Sequence, residues 1–347
     1  MSVDERLILE LETIARESHC GSPPSPFVAL ELLKSAHGNV RAMALASVIL
    51  GHAWQHISEH QKAQMAFSTA IAEFRKVPAP HDETEAMILL GTSHLLSGEP
   101  LLALDHWSSA LQIARKINDR ELCIRVYLGI GQVYIGFGDY HSALKFNELA
   151  LEMARRINHD ERRCEALLNI ASDAFRLQRY SYTMQCIDEA EKLLEATIAN
   201  KIWSAEVVYY RGLVHSAQHH YAQARIELET AYELNVHNDN LWGKSHALTA
   251  LGEVLLKMGD ASAERVLLDA LLLARKGSQS ALERRCNQAL LGWYLQQGHL
   301  SATLPYYSDL LHDQQQASSK MSAAQLRQIQ QLMSRSQIRL VGSQLGM

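Results

Sequence analysis

Proline is scarce in this sequence: there are seven in 347 residues, four of them Pro23, Pro24, Pro26 and Pro305. Proline breaks helix interiors, so long stretches without it leave the chain free to be helical. Long apolar runs are also missing. No stretch approaches about 18 uncharged apolar residues, so no membrane span is expected. The N-terminus, MSVDERLILELETIARE, has neither the basic start nor the apolar centre of a signal peptide. Basic charge is in short supply, with a formal net charge of −5 and a pI near 6.4. That argues against general binding to nucleic acid or to a membrane surface, both of which want a basic face.

Cysteine is sparse and widely spaced. Cys20, Cys123, Cys164, Cys186 and Cys286 are odd in number and form no C-x-x-C pair. Free thiols in a reducing cytosol follow, and with them a cytoplasmic location. Catalytic motifs are missing as well: there is no Walker motif, no H-E-x-x-H and no nucleophile motif. Gly129-x-Gly131 follows no strand, so it is not read as a phosphate loop. His52, His56 and His60 recur at helical spacing, but His60 falls at a turn and no acidic or Cys ligand lies nearby in sequence. His215, His219 and His220 cluster in the same way at a helix end. The expectation is a chain with no catalytic residues, no metal and no cofactor.

What the sequence does have is a period. A small residue recurs as Gly51, Gly91, Gly131, Ala171, Gly212, Gly252 and Gly292, in steps of 40 or 41 residues. A second recurs as Ala63, Ala103, Ala143, Thr183 and Ala224, and a third as Ala70, Ala110, Ala150, Ala190 and Ala231. In the sixth copy Ala263 and Ala270 sit one residue early, which implies a shortened turn. Helices approach closely only where facing side chains are small. Each copy therefore reads as two helices packed on each other, and copies stack because one hairpin cannot bury its apolar faces alone. Apolar residues, 47% of the chain, suffice for a continuous seam. Basic pairs end the second helices (Arg75-Lys76, Arg115-Lys116, Arg155-Arg156, Arg275-Lys276) and acids open the next ones (Asp82-Glu83, Asp119, Glu121, Asp160-Glu161), which suits the helix dipole.

Tyr127, Ile130, Gly131, Tyr134, Tyr140, Ala143 and Ala150 resemble the tetratricopeptide repeat family. So do Leu90, Gly91, Ala103, Trp107 and Ala110, and Leu50, Gly51, Ala63, Phe67 and Ala70. The resemblance runs from about Val40 to Asp313. Its period of 40 rather than the family's 34 is similar to the longer-repeat, bacterial-type branch. The implied fold is all-α, a tetratricopeptide-like right-handed superhelix of about seven to eight helical hairpins plus a C-terminal helix. Residues 1–39 are expected as a degenerate N-terminal capping hairpin, with Phe27 in the register of Phe67. Residues 40–313 form the solenoid, and 314–347 a polar linker, starting from a break at 312–320, and a helix over 322–340. That helix could cap the solenoid, fill its groove, mediate a homodimer or lead into an output domain.

The resemblance also implies a concave groove lined by the first helix of each hairpin, at places six and three before and one and four after the small residue. Those places hold an apolar stripe with a few polar residues among it. Arg125, Gln132, Phe175, Tyr209, Glu253 and Trp293 are the candidate binding residues, since aromatics and Arg dominate binding energy. No Lys stands at a minus-three place and no Asn at a plus-one place, which speaks against the capture of a peptide C-terminal carboxylate. The implied role is a non-enzymatic regulatory or adaptor solenoid. Its partner would be a protein or peptide, an amphipathic helix or an extended apolar segment, with no direct contact to nucleic acid or membrane. The alternatives are a groove sensor of a small signal, or the sensory half of a bacterial signalling protein (a diguanylate cyclase or transcription activator) whose output domain lies outside this chain.

Overall fold

The repeat arithmetic is visible in the helix lengths. The computed structural model describes residues 3–19 and 21–319, with side chains as far as Leu310. Among these residues all sixteen regular elements are α-helices, in two compact units that meet in sequence between Asn158 and His159. The first unit holds α1 (Val3–His19) and α2 (Pro26–Ser35), then three hairpins: α3 (Val40–His56) with α4 (His60–Phe74), α5 (Pro80–Leu96) with α6 (Pro100–Lys116), and α7 (Arg120–Gly136) with α8 (Tyr140–Arg156). The second holds four: α9 (Asp160–Arg176) with α10 (Tyr180–Ala196), α11 (Lys201–Ala217) with α12 (Tyr221–His237), α13 (Leu241–Met258) with α14 (Ala263–Lys276), and α15 (Ser280–Gln296) with α16 (Leu300–Ser319). From α5 to α8 every helix has 17 residues. Three-residue connections join them, so two helices and two connections make the 40-residue step.

Side-chain size sets how closely each hairpin closes. A Cβ added at Gly51, Gly91, Gly131, Gly212 or Gly252 would run into Phe67, Trp107, Asn147, Leu228 or Leu267 of the second helix. The recurring Ala63, Ala103, Ala143, Thr183, Ala224 and Ala263 are wholly buried, as are Ala70, Ala110, Ala150, Ala190, Ala231 and Ala270. Trp107 is the largest of the fully enclosed side chains. Its indole lies against Gly91 on one side and 2.9 Å from the position a Cβ would take on Gly129, while Nε1 donates to Ile88 O at 3.0 Å. Gly129 thus has a packing role that its place outside the repeat register conceals.

Each connection from the first to the second helix of a hairpin carries one left-handed residue at a matching place: Ser58, Gly98, Gly138, Gln178, His219, Gly259 and Gly298. That conformation turns the following N–H back onto the helix end, as where Glu99 N donates to His94 O at 2.8 Å and Asp139 N to Tyr134 O at 3.0 Å. Glycine adopts it freely, whereas a residue with a side chain gives up about 1–2 kcal/mol. Gln178 has a φ of 59° and an exposed side chain. Gln178→Gly is therefore expected to stabilise the chain by about 0.5–1 kcal/mol, the gain being reduced by the freer unfolded chain. A melting temperature that stays level or drops would disprove strain at this turn.

The structure departs from the sequence reading in four places. Phe27 does not repeat Phe67: it is 73% exposed, whereas Phe67 is fully buried. Leu11, buried, occupies the place 40 residues before Gly51, and α1 and α2 each pack on α3 instead of closing on one another as a hairpin, so no partner helix covers the Phe27 ring. The sixth hairpin has no shortened turn. Its connection runs from Gly259 to Ser262, and the lost residue is taken from α14, which has 14 residues. The polar stretch from His312, expected as a break, is helical as far as Ser319, and Pro305 lies inside α16. The helix expected over 322–340, and Cys20, lie outside the described residues. The other four cysteines are buried free thiols.

Candidate functional site

In the first unit α1, α3 and α5 enclose a cavity of about 360 Å³. Glu12, His19, Arg41, His52, Asp82 and Glu85 bring charge of both signs to its wall. Arg41 bridges two helices, with 3.0 Å contacts to Glu12 and to Asp82. Arg125 of α7 donates to Glu85 Oε1 at 2.8 Å and is 11% exposed. Burial works against the Glu85 carboxylate, but the charge and hydrogen bond of Arg125 outweigh it and hold the group below its usual range. His52 packs edge-on against Phe67 at 5.6 Å and His19 at 5.7 Å. Burial, aided by the charge of His19, pushes its pKa down to about 4, so this imidazole is neutral at physiological pH. Among the described residues no group of three or more His, Cys, Asp or Glu side chains could hold a metal ion.

The second unit carries a different network on α9, α11, α13 and α15. Arg285 grips Glu253 with two bonds, of 3.1 and 2.7 Å, and also hydrogen-bonds the Tyr209 hydroxyl. Tyr210, next to it, is hydrogen-bonded to Ser172. The Tyr209 ring stands edge-on to His246 at 6.1 Å, and Trp242 lies over His246 at 3.9 Å between ring centres. Burial is the main reason the His246 pKa falls to about 3, with the charges of Arg285 and Arg176 adding to it.

Comparison with known proteins bears on this architecture. Residues 82–156 match the family model described as tetratricopeptide repeat. Residues 82–156 carry tetratricopeptide repeats. A curated relative, FK506-binding protein 5 of Rhizopus delemar, is 37% identical over 76 residues, a match that covers 22% of this chain and 20% of that protein. Among solved structures, the apo form of RapI superposes with a TM-score of 0.64 at 14% identity, covering 78% of this chain and 96% of that one. NprR in complex with its cognate peptide NprX superposes with a TM-score of 0.62 at 13% identity, covering 97% of this chain and 98% of that one.

With the tetratricopeptide register in place, the sequence-derived residues sort by exposure. Of the seven minus-three places, Val48, Ile88, Leu128, Leu168, Tyr209 and Thr249 are buried between helices, Tyr209 to 7% exposure, and Ala289 is half-buried. The expected apolar stripe is packed core there. Arg125 and Glu253 are half-buried and locked in the ion pairs above. Gln132 is exposed on α7, and Trp293 is half-buried on α15. Phe175 packs against Tyr180 at 5.8 Å. Arg285 therefore joins two of the six, Tyr209 and Glu253, in one network. Arg285 itself escaped sequence reasoning because it stands seven before Gly292, off the four groove places. Arg41 and Glu12 escaped because they come from helix starts and from α1, where the register does not reach.

Among the described residues no helix is long and apolar enough to cross a membrane.

Proposed function

We propose that this chain is a non-enzymatic regulator that binds a protein or peptide segment along the first helices of its tetratricopeptide hairpins. The observation that carries the reading is the set of pinned polar groups on those helices. Arg125 with Glu85, and Arg285 with Glu253 and Tyr209, are fixed before any partner arrives. Side chains already ordered lose little further entropy on binding, which favours recognition of a partner. Neighbouring helices pack roughly 8–10 Å apart, a span that about three residues of extended peptide cross at ~3.3 Å each. NprR, solved with its cognate peptide NprX, lends support as a structural neighbour.

Affinity capture from the source cell's lysate tests the reading. The full chain is the bait, beside the double variant Gln132→Arg/Trp293→Ala. Both positions reach solvent, so folding should be retained, whereas Tyr209→Ala would open a cavity in the core. A protein held by the native bait, lost from the variant and replaced by a synthetic peptide cut from its own sequence is the expected result. Equal recovery on both baits would place the interface elsewhere.

A further inference from the structure

Glu206 of α11 stands apart from every other inner carboxylate. Glu85 and Glu253 are paired with arginines, but among the described residues Glu206 has neither an ion pair nor a hydrogen bond. It lines a pocket of about 20 Å³ between the first turns of α11 and α13, with Ile202, Tyr209, Asn235, Trp242 and His246 around it. Hydrogen bonds tie the pocket wall together. Asn240 caps α13 by accepting from Gly243 N at 3.2 Å and donates to Asn235 Oδ1 at 2.8 Å, while Asn235 donates to Ala231 O at 2.7 Å. A Cβ on Gly243 would collide with Asn235, so glycine is required there. At the mouth stand two large apolar side chains, Ile202 and Trp242, each 49% exposed.

The groups around Glu206 leave its charge uncompensated. On its own helix are Tyr209 and Tyr210. The α9 helix offers the Cys164 thiol, which burial pushes up to about 12, and α13 offers His246, neutral at physiological pH. From α12 comes the amide of Asn235. The acids of α10, Asp188 and Glu191, are engaged by Arg211. Arg285 of α15 is committed to Glu253 and Tyr209, Arg176 of α9 acts on Tyr210 and His246, and Lys244 of α13 is paired with Asp239 at 2.8 Å. A lone carboxyl walled by aromatic faces is a receptor for a cation, because ring faces attract positive charge as well.

We propose that this pocket receives the ammonium group of a lysine side chain on the bound segment, a refinement that rests on the peptide-binding reading above. The volume holds one group the size of a water molecule, which fits a primary ammonium and is too small for a guanidinium or a methylated amine. The four-carbon stem of lysine would lie across Ile202 and Trp242, as such stems do on apolar surface. A peptide N-terminus offers the same ammonium without the stem.

Binding is coupled to a proton. Burial pushes the Glu206 carboxyl up to about 7, so below that pH the incoming cation must displace a proton to solvent. The affinity is therefore expected to rise close to tenfold per pH unit below 7 and to level off above it.

The test titrates the full chain with Nα-acetyl-lysinamide, its Nε-acetylated counterpart and alaninamide, followed by NMR chemical shifts from pH 5.5 to 8. The expected result is binding of the first probe with that pH profile, no binding of the second, and weaker binding of the third. Glu206→Gln should abolish binding while the chain stays folded, and Trp242→Ala should weaken it several-fold. A pH-independent affinity, retention by Glu206→Gln, or no binding by the native chain would overturn the proposal, and tighter binding of alaninamide would reassign the pocket to a peptide N-terminus. The two readings fail separately. A peptide captured equally by the native chain and by Glu206→Gln removes the lysine pocket alone. Lysinamide binding with no peptide captured removes the peptide reading alone.

Discussion

Replacing Gly91 with alanine is expected to lower the melting temperature by several degrees, while the same replacement at Gly292 raises it. Both glycines occupy one place in the repeat, and both are helical. An ordinary helix gains about 1 kcal/mol when Gly becomes Ala. At Gly292 nothing lies within 4 Å of the new methyl group, so that gain is kept. At Gly91 the methyl meets the Trp107 indole, which is enclosed and cannot swing away, since Gly129 lies on its far side and Ile88 O holds its nitrogen. Overfilling a core costs about 1–3 kcal/mol, and displacing a buried ring risks part of the ~3–5 kcal/mol that removing it would cost. A net loss of about 2 kcal/mol at Gly91 corresponds to roughly 4–8 °C in a domain of 150–250 residues. Trp107 fluorescence should shift toward the red as the ring is pushed out. If both variants moved in the same direction, the assigned contact between Gly91 and Trp107 would be wrong.

Glu206→Gln is expected to stabilise the chain at neutral and alkaline pH and to do nothing in acid. The sign follows from the carboxyl's folded pKa of about 7 against an ordinary value of 4.5. Between those values the unfolded chain gives up the proton while the folded chain keeps it, so native stability falls as pH rises from 4.5 to 7 and stays reduced above. Each pH unit of that gap is worth about 1.4 kcal/mol, which sets an upper limit of about 3.5 kcal/mol at pH 8. His246 acts in the opposite sense. Its folded pKa of about 3 lies below the ordinary 6.5, so it removes stability as pH falls below 6.5. His52, at about 4, does likewise in the first unit. Around Glu206 the two slopes oppose each other between pH 4.5 and 6.5, and the variant unmasks the histidine. Urea denaturation of both chains from pH 4.5 to 8 checks this, because every other titrating group cancels in the difference. A difference that is flat across the range would disprove a protonated Glu206.

The sequence disclosed what depends on spacing and hid what depends on side-chain direction. Seven small residues 40 or 41 apart announced hairpins, but the side chains they meet, such as Phe67, Trp107 and Leu228, emerged only in the structure. The packing of Gly129 against Trp107 could not be read, since it joins residues 22 apart in different hairpins and off the register. Phe27 shows the limit of register itself: the place is in step, but α1 and α2 pack on α3 and not on each other, so the ring is left exposed. Among the candidate binding residues, the template located Arg125, Tyr209 and Glu253 by position, yet whether each meets solvent or core was set by neighbours such as Arg285. Glu206 was among the minus-six places, but only the three-dimensional surroundings reveal that it lacks a counter-charge.

The seating of Trp107 between Gly91 and Gly129 also constrains how such a chain can evolve. The second and third hairpins share one ring: α6 supplies it, and α5 and α7 supply the two halves of its seat. A copy of either hairpin inserted elsewhere would carry a ring without its full seat, or half a seat without its ring. Gene duplication, the usual route by which repeat arrays lengthen, would have to move the pair together, as a block of about 80 residues (two 40-residue steps). Drift is restrained as well, because a larger residue at Gly129 is harmful until Trp107 has shrunk, and a smaller residue at Trp107 leaves a cavity until Gly129 has grown.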